Sequence, residues 1–188
     1  MRSVALWSAL VTALVAVAAC SAPSPGHYTP AALPDEATFG PVAGLLDVRC
    51  GSLDCHGKVG RNLRLYGSAG LRLSPSDRPL VPLCDTGAEV AQDYDSLIGL
   101  EPEIMSAVVA GADPSELTLV RKARGAEAHK GGSIWSASDD SDTCLTSWLT
   151  GKPQPADCER GVASVLPEPG GVPDPLLACF STPREGGP

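Results

Sequence analysis

Aromatic side chains are scarce in this chain. Phe, Trp and Tyr make up 4% of the 188 residues, thin material for a protein core of this size. A bound apolar cofactor would supply part of what is missing. Basic residues are also few: 14 Lys and Arg stand against 22 Asp and Glu, for a formal charge of −8. No cluster of positive charge is left to neutralise phosphates, which excludes nucleic acid as a partner. There are only three histidines, His27, His56 and His129. They suggest no Ser–His–acid set, and nothing else resembles a catalytic constellation, so the chain is expected not to be an enzyme in its own right.

Glycine and proline are plentiful, at 20 and 18 residues, which predicts long irregular stretches. Seven cysteines point to an oxidising compartment. The N-terminus agrees with this. A basic start at Arg2 precedes an apolar run of Ala, Val and Leu, which ends in Val17-Ala18-Ala19-Cys20. This is the order of a secretory signal, too short for an ordinary membrane span. The cysteine after two alanines resembles a bacterial lipoprotein signal, with valine where that box usually has leucine. The resemblance implies that residues 1–19 are removed, that Cys20 carries lipid, and that the protein is anchored in the bacterial envelope, on the periplasmic face or the outer membrane. Without Arg2 the mature chain holds 13 basic and 22 acidic residues, or −9. The alternative is a plain secretory signal with a chance cysteine. Buried acyl chains bind a bilayer by about 0.8 kcal/mol per methylene. Cys20→Ala should therefore abolish glycerol labelling and release the protein from the membrane fraction; unchanged fractionation refutes lipidation.

Residues 20–34, rich in Pro, Ser, Ala and Gly, read as a flexible tether that includes His27. A mostly α domain follows over 35–151. The spacing predicts helices at about 36–48 (capped by Asp35), 87–98, and from Glu101-Pro102 to Gly111. A further helix is expected after Asp113-Pro114-Ser115-Glu116, stopped by Gly125, and a last one from about Ser138 to Thr150. Alternation at 63–66 and 70–73 suits short extended pieces. Residues 152–188 read as a Pro/Gly-rich irregular tail, pinned if Cys158 and Cys179 pair. The other expected pair is Cys84 with Cys144, with a stabilising role for both.

The chain is organised around Cys50-Gly51-Ser52-Leu53-Asp54-Cys55-His56-Gly57. The c-type haem attachment signature has two residues between its cysteines and a histidine after the second; here there are four. Covalent attachment needs two thiols that reach the two vinyl groups of one porphyrin edge, and an imidazole that reaches the iron from the same strand. Gly51 and Ser52 make the extra loop easy. The main rival is a plain Cys50–Cys55 disulfide with His56 incidental. A zinc site would need two more ligands, and a thioredoxin-like pair needs a two-residue spacing on a βαβ frame.

With "GLRL" at 70–73, "ADPSELTLVRKARG" at 112–125 and "CLTSWLTG" at 144–151, the segment 45–151 resembles a small c-type cytochrome domain of the kind found in bacterial lipoproteins. The resemblance implies one covalent haem c on Cys50 and Cys55, with His56 as proximal iron ligand. It also implies that the helix bearing Trp148 packs on the helix leading into the motif. Related domains place the distal ligand in a glycine-rich loop before the last helix, where this chain has His129-Lys130-Gly131-Gly132. That implies bis-histidine ligation and a low potential. Met105 is the alternative distal ligand, its plain role being apolar filler on a helix, and ligation by neither stays open. The implied function is electron transfer with a redox protein partner. A disulfide-stabilised surface lipoprotein without haem is the alternative, and haem peroxidase activity, which needs an open sixth position, is a third.

Overall fold

The computed structural model describes residues 32–77 and 84–165. Cys20, His27 and Cys179, and with them the expected leader, most of the tether and the end of the tail, lie outside these residues. The described part is mostly α, with six helices: α1 (Gly40–Cys50), α2 (Gly87–Ile98), α3 (Pro102–Val109), α4 (Thr118–Ala123), α5 (Asp140–Leu149) and α6 (Pro155–Ala163). None of these is long and apolar enough to cross a membrane. The extended pieces expected at 63–66 and 70–73 meet at a single isolated bridge, Tyr66–Leu71, and form no strand.

Asp35 caps as the sequence predicts, accepting the Ala37 N–H at 3.0 Å. It opens a 3-10 turn, Glu36–Thr38, and α1 begins only at Gly40. The single helix expected over 36–48 is divided because Pro41 has no N–H to continue a turn and fits best in a first turn. α1 buries Val42, Ala43, Gly44, Leu45, Leu46, Asp47 and Cys50. Apolar residues on nearly every side make it the central helix rather than a surface one.

α2 starts with a capping box: the Thr86 hydroxyl accepts the Glu89 N–H (3.2 Å), and Glu89 accepts the Thr86 N–H (2.8 Å). Asp113 accepts the Ser115 N–H at 2.8 Å and opens the turn Pro114–Glu116, after which α4 begins. Asp139 caps α5 through the Asp142 N–H at 2.9 Å.

α6 corrects the expectation of an irregular tail from 152. It packs on both α1 and α5 and belongs to the domain. Pro155 takes a first-turn position, and Gly161 lets α6 approach closely: a Cβ there would lie 2.7 Å from the Ser141 hydroxyl. Cys144 is joined to Cys158, Cα atoms 4.8 Å apart, which stitches α5 to α6 and overturns both expected pairings. Cys84 is disulfide-bonded as well.

Three of the five aromatics among the described residues meet at one place. Phe39, Tyr94 and Trp148 pack with ring centroids 4.9–6.2 Å apart, between the start of α1, α2 and the end of α5. α5 thus lies against α1 on the side where Trp148 sits.

Candidate functional site

α1 ends at Cys50, and the chain turns back at once. The Cys55 and Gly57 N–H groups both donate to the Ser52 carbonyl (2.9 and 3.0 Å), and the His56 N–H donates to the Cys50 carbonyl at 3.0 Å. The four residues between the cysteines therefore form a hydrogen-bonded turn, with Leu53 at 61% exposure. Arg61 closes the outside of the turn, donating to the carbonyls of Cys55 (2.9 Å) and Asp54 (3.3 Å). Gly57 and Gly70 flank the Gly51 carbonyl so tightly that a Cβ on either would fall within 2 Å of its oxygen. The extra residues are thus accommodated without separating His56 from the end of α1.

Both thiols are free; Cys50 is buried and Cys55 half-buried. The disulfide between them that the rival reading requires is not formed. Burial pushes the Cys50 thiol up to about 12, so it is fully protonated at neutral pH.

His56 is fixed by its Nδ1, which lies 2.9 Å from the Leu63 carbonyl oxygen. A carbonyl only accepts, so Nδ1 carries the proton and Nε2 keeps its lone pair in the neutral ring. This arrangement orients metal-binding histidines and raises their basicity. Burial holds the imidazole below its usual pKa; the Leu63 carbonyl opposes that, and His129, Arg61 and Lys122 add to it. The ring therefore favours the neutral form, the one that binds metal.

The loop after α4 brings the second imidazole. Gly125, at φ +72°, ends the helix. The loop returns where the N–H groups of Ile134 and Trp135 donate to the Ala123 carbonyl (2.8 and 3.2 Å). Arg124 grips Asp142 with two bonds of 2.7 and 2.8 Å, tying α4 to α5. Arg49, next to Cys50, donates to the Ile134 carbonyl and lies over the Trp135 ring. Between these anchors His129 faces His56, ring centroids 5.9 Å apart and planes 24° from parallel. Its own tether is long, Nδ1 to the Gly132 carbonyl at 3.4 Å.

Cys50, His56, His129, Leu63, Leu119 and Ile134 all line one cavity of about 300 Å³. Met105 does not line it. It is 1% exposed inside the core, the filler role that its helix position predicts.

The donor set suits a haem iron. A neutral imidazole is an axial ligand that haem iron takes. Among the described residues no group of three or more His, Cys, Asp or Glu side chains is arranged to hold a metal ion. The Trp135 indole N–H, in the same loop as His129, is buried with no acceptor. Sequence reasoning missed the Leu63 carbonyl, a backbone group that no residue type marks. It also missed the carboxylates Asp47, Glu89 and Asp93, buried at 1% exposure or less. Asp47 left a trace, a charge in the middle of the apolar run of α1. Comparison with family models, curated protein sequences and solved structures finds no match.

Proposed function

We propose that this chain is a lipid-anchored, monohaem c-type electron-transfer protein of the bacterial envelope, docked at the membrane through Cys20. The observation that carries this reading is the meeting of Cys50, His56 and His129 around one cavity, with the His56 Nδ1 proton held by the Leu63 carbonyl. Bound haem supplies one reversible electron at its iron. Cys50, which lines the cavity, and Cys55, on the turn beside it, would hold its edge. His56 presents Nε2 from a ring that cannot turn while Leu63 holds Nδ1. Leu63, Leu119 and Ile134 keep water from the buried side. A porphyrin is larger than the cavity as it stands, so seating one would require the His129 loop to move outward; the contact of His129 Nδ1 with the Gly132 carbonyl, 3.4 Å, is a long one.

Periplasmic expression with the haem-maturation machinery, followed by a pyridine haemochrome spectrum, tests the reading. The expected result is one covalent haem per chain, lost in Cys50→Ala/Cys55→Ala. Colourless protein with Cys50 linked to Cys55 overturns it in favour of a disulfide-stabilised lipoprotein. In the haem-loaded protein His129→Ala should abolish the low-spin spectrum. An unchanged spectrum removes His129 from the iron.

A further inference from the structure

The strap from His56 to Leu73 hangs on buried carboxylates. Its first residues fix the imidazole: His56 Nδ1 is held by the Leu63 carbonyl, and the Leu65 N–H donates to the His56 carbonyl at 3.0 Å. The next residue is fixed by α2: the Tyr66 N–H donates to Asp93 at 2.7 Å. Arg64 is held likewise, its N–H on the Ser96 hydroxyl at 2.9 Å. Further on, Ser68 and Ala69 donate to Asp47 of α1 (2.9 and 3.0 Å), and the Ser68 N–H to Asp85 at 3.1 Å. Glu89 accepts the Leu73 N–H (3.1 Å) and pairs with Arg72 at 2.8 Å.

Four carboxyl groups, Asp47, Asp85, Glu89 and Asp93, thus face one another across α1, α2 and the strap. The cation among them is Arg72, and it is turned to Glu89. Asp93 is fully buried, and its second oxygen has no partner. An ionised Asp93 has neither solvent nor cation to balance it, so losing its proton shortens the hydrogen bond from the Tyr66 N–H while leaving a buried charge otherwise uncompensated, and the strap must adjust.

We infer that Asp93 is a positioning residue for His56, acting through the backbone of residues 63–66, and that the protonation state of its carboxyl sets how that backbone presents the imidazole. This rests on the reading of His56 as an iron ligand. Burial, reinforced by Asp85, Asp47 and Glu89, raises Asp93 to about 8 against the single opposing bond from Tyr66. The folded chain therefore binds this proton more tightly than the unfolded chain. The stability that Asp93 contributes is fully present in the acid range, falls as pH rises from the ordinary carboxylate range, and is lost above about 8. The change at His56 follows the upper end of that window.

The test uses the full chain after haem maturation. In the wild type, the low-spin absorption bands and the midpoint potential should shift with pH near 8, in step with the ¹⁵N shifts of the Leu65 and Tyr66 amides. Asp93→Asn keeps an acceptor for the Tyr66 N–H and cannot ionise. It should hold the low-pH spectrum and the low-pH amide shifts throughout. Amides that titrate beside a flat iron spectrum and potential would reduce Asp93 to a structural role and overturn the inference. So would amide shifts that titrate identically in Asp93→Asn. A negative haemochrome result refutes the haem reading alone; the amide titration, run on the haem-free chain, then decides whether Asp93 controls the strap.

Discussion

Gly57→Ala should lower the stability of the domain by about 3 kcal/mol or more, with the loss beginning at the Cys50–His56 turn. The reason is space. A Cβ on Gly57 would lie 1.7 Å from the Gly51 carbonyl oxygen, where carbon and oxygen ordinarily meet at about 3.3 Å. The atom in the way is backbone at the end of α1, so no side chain can swing aside. Gly70 stands in the same relation, 1.9 Å from that oxygen, and Gly70→Ala should cost a similar amount. Two further glycines separate crowding from general glycine effects. Gly60 has φ +86° and nothing within 4 Å of a built Cβ; its replacement by alanine should cost only the left-handed penalty of about 1–2 kcal/mol. Gly87, at the start of α2, is open too, with no positive φ, and Gly87→Ala should be neutral within about 0.5 kcal/mol. Urea midpoints followed by tryptophan fluorescence measure all four. Equal losses at 57 and 60 would show that the crowding around Gly51 is not what holds the turn.

Trp148→Ala should cost about 3–5 kcal/mol, a large share of the about 5–15 kcal/mol that a domain has. Trp148 is 1% exposed and sits 4.9 Å from Phe39 and 6.2 Å from Tyr94, ring centre to ring centre. Phe39 and Tyr94 would both lose their contact with the indole ring and face the hole it leaves. The indole N–H also donates to the Asp35 carbonyl at 2.9 Å, which fixes the chain as it enters α1. Trp148→Phe keeps most of the ring contact and loses that bond, so it should cost about 1–2 kcal/mol more than a neutral swap. Urea unfolding monitored by far-ultraviolet circular dichroism measures both variants. A Trp148→Ala loss under 1 kcal/mol would place the core elsewhere.

Much of the helical frame was legible because its signals are local. Asp35, Asp113-Pro114 and Gly125 each act on the few residues beside them, and each does in the fold what its residue type dictates. α6 was not legible. Its nine residues lie among prolines and glycines, and its apolar face is short. What makes it a helix is packing on α1 and α5 and the link from Cys158 to Cys144, both long-range facts. The extended character of 63–66 was visible in its alternation, but its partners are side chains of α2 rather than another strand, so no sheet results. Of the site, the order Cys50, Cys55, His56 marked the place, and the glycine-rich loop marked His129. That their rings would lie face to face depends on Arg124, Asp142 and Arg49, whose bonds span distant parts of the chain.

The burial of Cys50 also sets an order of events. Thiol chemistry runs through the thiolate, and a thiol raised to about 12 at the packed end of α1 offers almost none. In the folded domain Cys50 is therefore kinetically silent, toward an incoming reagent and toward disulfide exchange alike. Any covalent modification of it belongs to the nascent chain, before α1 closes against α5 and α6. Folding and modification then compete for the same interval, and the slower the domain is to close, the larger the share of molecules modified.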